Sequence, residues 1–234
     1  MSISVALFDL DDTLFAHREA VDRGIETFIG STGAVFDPAE IARWRELEEH
    51  HYHRYLAGEL DYVGQRRARA RGFAAAYGVP LERDRDAEAW FEDYVGHYRA
   101  AWKLHADALP CLDGLAIRGI RLGIITNGDV DFQQVKLDRL GLSERFEHVV
   151  ASGAVGVAKP DRRIFELACS TFGVPVEDAL YVGDRLLTDA VGAAEAGLTG
   201  VWLDRRGAAR EETETAEAAG VIVISTLADL PGLV

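Results

Sequence analysis

The 234-residue sequence predicts an α/β protein, a doubly wound parallel sheet with helices on both faces and an inserted all-helical piece. Three observations predict it. A short apolar run, Val5-Ala6-Leu7-Phe8, opens the chain and is too short for a helix. After Phe15 the strand-like pattern vanishes for roughly ninety residues and helical periodicity takes over. Past Pro110, five further apolar runs alternate with helical stretches, the pattern of βαβ units.

The first run ends abruptly in Asp9, Asp11 and Asp12. Carboxylates so crowded repel one another unless a cation sits among them or one stays protonated. The cluster therefore reads as a hard-metal site, as acid/base chemistry, or as a solvated turn and helix cap.

Four helices are expected next. The first covers His17 to Ile29, with Ala20, Ile25, Phe28 and Ile29 apolar. The second opens at Asp37-Pro38-Ala39-Glu40, where Asp37 can cap and Glu40 can close a capping box. The third runs from Tyr62 to Tyr77. The fourth runs from Asp86 to Lys103, and its stripe of Trp90, Phe91, Tyr94, Val95, Tyr98 and Trp102 reads as packing between helices. His50, His51 and His53 point in different directions on a helix and read as a solvated face rather than a metal site. The basic run Arg66, Arg67, Arg69 and Arg71 reads as a solvated helix face, with phosphate or carboxylate recognition as its alternative.

The later strands are expected at Leu122 to Thr126, Phe146 to Ala151, Leu180 to Gly183, Gly200 to Leu203 and Val221 to Ile224. In such sheets ligands bind at the carboxyl ends of the strands, so polar residues matter where a strand has just ended. Thr126 is one, and its hydroxyl with the backbone N–H groups of Asn127 and Gly128 can hold a phosphate oxygen, or else form a plain cap. Lys159 precedes a helix that carries Ile164, Phe165, Ala168 and Phe172 inward, with Pro160 suited to its start. A cation at a helix N-terminus is misplaced unless an anion is near, though a surface Lys is the plainer reading. Asp184 ends the next strand, and Asp189 follows at the start of a helix from Thr188 to Ala196. This pair suits Mg²⁺ or two helix caps. Ala208 to Gly220, rich in Ala, Glu and Thr, reads as a solvated helix or loop.

The run Asp9-Leu10-Asp11-Asp12-Thr13-Leu14 resembles the nucleophile motif of the haloacid dehalogenase (HAD) superfamily. Thr126, Lys159 and the Asp184/Asp189 pair resemble its other three motifs, in the required order. The resemblance implies a Rossmann-like catalytic core, residues 1–15 and 106–234, and an all-α cap domain of type 1, residues 16–105. It implies a phosphatase acting on a small phosphorylated metabolite, with Asp9 as nucleophile and Asp11 as general acid/base. Mg²⁺ would be held by Asp9, the carbonyl of Asp11, Asp184 and Asp189, and phosphate by Thr126, Asn127 and Lys159. Asp12 is left as a structural residue. Two departures stand out: Cys111 to Arg118 is about a turn shorter than usual, and Arg185 stands where many relatives carry a small polar residue. A phosphomutase shares these motifs. A dehalogenase lacks the second Asp, and a receiver protein lacks the helical insertion.

Composition limits the partners. Lys and Arg total 25 against 39 Asp and Glu, a formal net charge of -14, which argues against nucleic acid or an anionic membrane. No run approaches the roughly 20 apolar residues of a membrane span. Cys111 and Cys169, with no CxxC, indicate apolar packing and a reducing cytoplasm rather than a disulfide or zinc cluster.

Overall fold

The computed structural model describes residues 3–234. The chain divides into two compact units, Met1–Ala16 with Lys103–Val234, and His17–Trp102. The first begins with β1 (Val5–Phe8), each residue of which is buried.

The second unit contains α1 (His17–Ser31), α2 (Ala39–Leu56), α3 (Tyr62–Ala75) and α4 (Asp84–Ala100). Trp44 is fully buried among Phe73, Phe91 and Tyr94, with the Tyr94 ring 4.4 Å away by centroid. The aromatic stripe of α4 thus packs between helices, where such pairs add about 0.5–1.5 kcal/mol beyond their area. Gly24 lets α1 approach α4 closely, since a Cβ there would lie 2.9 Å from the Tyr98 Cα. At the start of α2, Asp37 Oδ1 accepts from Ala39 N at 2.9 Å, but Glu40 turns to Arg43 instead of closing a capping box.

The basic run of α3 is a solvated face only in part. Arg69 is buried, 2.5 Å from Glu48 and 4.7 Å over the Trp44 ring. Although burial opposes it, that guanidinium, with His17, holds the Glu48 carboxyl at about 2. Arg67 pairs with Asp84 and Glu88, Arg71 with Asp84, and Arg66 lies over Tyr62. These charges serve the unit's own packing. Of the three histidines, His51 is buried rather than solvated, and His53 pairs with Glu49.

In the first unit, Ala16 N donates to Lys103 O at 3.0 Å and His105 N to Leu14 O at 2.9 Å, so the chain departs and returns at adjacent points. There follow α5 (Ala108–Ile117), β2 (Arg121–Thr126), α6 (Val130–Arg139), β3 (His148–Ala151), α7 (Ser152–Val155), α8 (Arg162–Phe172) and β4 (Ala179–Gly183). A π-helical turn (Leu186–Val191), α9 (Gly192–Ala196), β5 (Thr199–Leu203), α10 (Arg210–Ala218), β6 (Ile222–Ile224) and a final 3₁₀ turn complete it. Among the described residues the strands form one six-stranded, all-parallel sheet in the order β3-β2-β1-β4-β5-β6. Chain order reverses direction at β1, a topological switch point with its crevice at the carboxyl ends.

Ile164, Phe165, Ala168 and Phe172 of α8 pack with Val5, Leu7 and Tyr181 in one cluster, while Trp202, Leu186 and Ala216 anchor another. Helix α8 starts two residues past Pro160. Its cap is Asp161, whose Oδ1 accepts from Arg163 N at 3.0 Å. The helix expected from Thr188 starts earlier, as the π-helical turn at Leu186. Cys111 and Cys169 are buried and free, and burial pushes their thiols up to about 12 and about 11. No helix among the described residues is long and apolar enough to cross a membrane.

Candidate active site

Register brings the site together. Phe8 lies opposite Ile124 and Val182, so Asp9 leaves β1 between the ends of β2 and β4, with its N–H on Val182 O at 2.9 Å. The chain then folds back at once. Asp12 adopts φ 60°, a left-handed conformation that Asp tolerates better than most side chains, and its N–H reaches Phe15 O at 2.7 Å. The turn leaves Asp11 half-buried, two residues from Asp9.

Lys159 is the electrostatic centre. Its buried ammonium lies 2.7 Å from Asp9 Oδ1, 2.7 Å from Asp189 Oδ1 and 2.6 Å from the Tyr181 hydroxyl, which accounts for all three of its N–H donors. Burial opposes the charge, but the Asp189 and Asp9 carboxylates outweigh it and hold the Lys159 pKa above the ordinary lysine value. Asp9 is pushed up to about 7: burial raises it most, Asp189 and Asp11 add to that, and Lys159 works against them. Lys159 is therefore no surface lysine. The Tyr181 hydroxyl accepts from it and donates to Ile125 O at 3.0 Å.

Asp184 completes a carboxylate group. One oxygen each of Asp9, Asp184 and Asp189 lie within 4.8 Å of one another. Burial, then Asp189, Asp9 and Asp12, raises the Asp184 carboxyl well above its ordinary value. Three converging oxygen donors, in surroundings that penalise their charge, fit a hard divalent cation. Gly183 makes room, because a Cβ there would collide with the Asp189 carboxylate. Asp189 Oδ2 also accepts from Arg185 N at 3.0 Å, so this carboxylate fixes both Lys159 and the turn after β4.

At the end of β2, Thr126 is buried. Asn127 forms a reciprocal pair with the Lys159 main chain, Nδ2 to O at 2.9 Å and Oδ1 from N at 2.8 Å, tying two loops together. The Gly128 N–H, expected to face phosphate, donates instead to Ser152 Oγ at 3.0 Å. Sequence reasoning missed Gln133 and Lys136 of α6, both buried and both bonded to Asp11. It also missed Tyr181, whose signal was a phenol in an otherwise apolar strand, and phenols seek partners when buried. Arg205 was missed too. It grips Asp107 at 2.8 and 2.9 Å and donates to Thr13 O at 3.0 Å, bracing the turn after Asp11.

Residues 3–197 match the sequence profile of the haloacid dehalogenase-like hydrolases. The chain belongs to this family. Among HAD relatives, phosphoserine phosphatase of Thermus thermophilus is 35% identical over 87% of this chain and 89% of its own. Glyceraldehyde 3-phosphate phosphatase of Methanopyrus kandleri is 34% identical over 88% and 85%. The fold is shared by the HAD-hydrolase YfnB of Bacillus subtilis, solved bound to magnesium (TM-score 0.82, 19% identity, 100% of this chain and 99% of that one). It is shared as well by L-2-haloacid dehalogenase of Xanthobacter autotrophicus (TM-score 0.72, 22% identity, 99% and 98%).

Proposed function

We propose that this HAD-family hydrolase is a Mg²⁺-dependent phosphatase of a small-molecule phosphate monoester, acting through an aspartyl-phosphate on Asp9. The observation that carries the reading is the second carboxylate, Asp11, fixed two residues beyond a buried Asp9 that is paired with Lys159. Attack on carbon, as in a dehalogenase, has no leaving alcohol to protonate and needs no Asp11. The names of the two phosphatase relatives support the same choice.

In the first step an Asp9 oxygen forms a bond to phosphorus, and the bond from phosphorus to the ester oxygen breaks. The electron pair stays on that oxygen, which takes the proton of Asp11. In the second, Asp11 takes a proton from water as the water oxygen bonds to phosphorus and Asp9 leaves. Thr126 and Lys159 hold phosphoryl oxygens, Lys159 by turning one N–H from its present partners, while Asn127 keeps the Lys159 loop in place. Asp9, the Asp11 carbonyl and Asp184 would hold Mg²⁺, with Asp189 steadying the arrangement. The ion supplies charge neutralisation at the phosphoryl group, the main requirement of phosphoryl transfer. The helical unit His17–Trp102 acts as a type 1 cap that selects the substrate, and the enzyme works in the cytoplasm.

The test is phosphate release from a panel of phosphate monoesters with Mg²⁺ and again with EDTA. Release that requires Mg²⁺ is expected. No release from any ester by the folded protein, with halide release from 2-haloacids, would replace this reading with the dehalogenase one.

A further inference from the structure

Helix α6 presents two polar side chains where an amphipathic helix ordinarily buries apolar ones. Gln133 and Lys136 lie one turn apart, 3% and 2% exposed, beside the buried Leu137. Lys136 Nζ is 2.5 Å from Asp11 Oδ1, and Gln133 Nε2 is 3.1 Å from Asp11 Oδ2, so each oxygen of this carboxylate has its own donor. The Gln133 amide also donates to Thr126 Oγ1 at 2.6 Å. Its orientation follows from charge, since a flipped amide would set its oxygen against the Asp11 carboxylate. By accepting from Gln133, the Thr126 oxygen leaves its own O–H to aim elsewhere.

This arrangement costs stability. Gln133 Oε1 is buried with no hydrogen-bond partner among the described residues, and a buried acceptor left unpaired is destabilising. A buried ammonium is tolerated only when paired, and besides Asp11 the Lys136 ammonium has the rings of Phe15 and Phe132, whose centroids lie 4.9 and 5.6 Å from Nζ. A half-exposed turn Asp needs no such support. Costly local arrangements of this kind cluster at functional sites.

We infer that Lys136 and Gln133 are positioning residues: together they fix the rotamer of Asp11, and Gln133 sets the Thr126 hydroxyl at the same time. The inference rests on the phosphatase reading and extends it. Asp11 takes a proton from water only when its carboxylate is held in line, so loosening it slows hydrolysis of the aspartyl-phosphate. Formation of that intermediate from an aryl phosphate with a good leaving group needs no acid and is spared.

The experiment is steady-state and pre-steady-state kinetics of Lys136→Met on such an aryl phosphate. The expected result is a fall in kcat of about tenfold or more, kcat/KM within about threefold of wild type, and a burst of the phenol before the steady state. Lys136→Gln, which keeps a donor, should recover part of kcat and serves where the Met variant does not fold. Gln133→Met should lower both kcat and kcat/KM, because it releases Thr126 as well. Equal losses of kcat and kcat/KM in Lys136→Met and Lys136→Gln, or no loss in either, would overturn the inference. Failure of the wild type to release phosphate is a separate result that removes the phosphatase reading beneath it.

Discussion

The Lys159 ammonium and the Tyr181 hydroxyl lie 2.6 Å apart, both buried, and the tyrosine O–H donates in turn to Ile125 O. This contact takes the one N–H of Lys159 that its two carboxylates leave over. Tyr181→Phe strands that N–H and the Ile125 carbonyl. Melting should show a loss of about 1–3 kcal/mol. Phosphate release should fall by less than tenfold, because Asp9 and Asp189 still hold the ammonium. An unchanged melting curve would mean that the contact contributes nothing.

Asp184 is held against its preference. A carboxyl whose folded pKa lies above its unfolded value costs stability once pH exceeds the unfolded value, and the cost is complete above the folded one. Asp184→Asn should therefore raise the melting temperature at neutral pH in EDTA. It should also abolish the further rise that Mg²⁺ gives the wild type, since binding to the folded state is what stabilises. Melting with Mg²⁺ and with EDTA checks both. A variant that still gains stability from Mg²⁺ would exclude Asp184 from the metal site.

Asp107 shows the opposite sign. Burial works to raise it, but Arg205, Thr226 and the Leu227 N–H overcome this and hold it at about 2. Its contribution is present above the ordinary carboxylate value of about 4 and is lost as pH falls through about 2. Asp107→Asn should melt several degrees below wild type at pH 7, with the gap narrowing as pH falls from about 4. A gap that stays constant down to pH 2 would argue against an ionised Asp107.

The strand ends were legible because an apolar run stopping at Asp9, Thr126 or Asp184 leaves a polar residue where a parallel sheet exposes its crevice. The strands themselves were legible as short apolar runs alternating with helical stretches, with errors of a residue or two at their ends, as at Phe146 ahead of β3. What could not be read was which donors are already used. Gly128 N–H serves Ser152, 24 residues away in sequence, and no local pattern announces that. Gln133 and Lys136 contact Asp11 across 122 and 125 residues, and on a helix of mixed polarity they resemble any solvated pair. Arg69 was misread for the same reason, since its partner Glu48 comes from another helix.

The central claim is that Asp9 carries the phosphoryl group. The direct measurement is acid quenching during turnover of a phosphate monoester, followed by mass spectrometry of the peptide that contains Asp9. The account predicts one phosphoryl group on Asp9, labile to hydroxylamine as an acyl phosphate is, and no adduct or turnover in Asp9→Asn. A phosphoryl group on another residue, or normal turnover by Asp9→Asn, would contradict it.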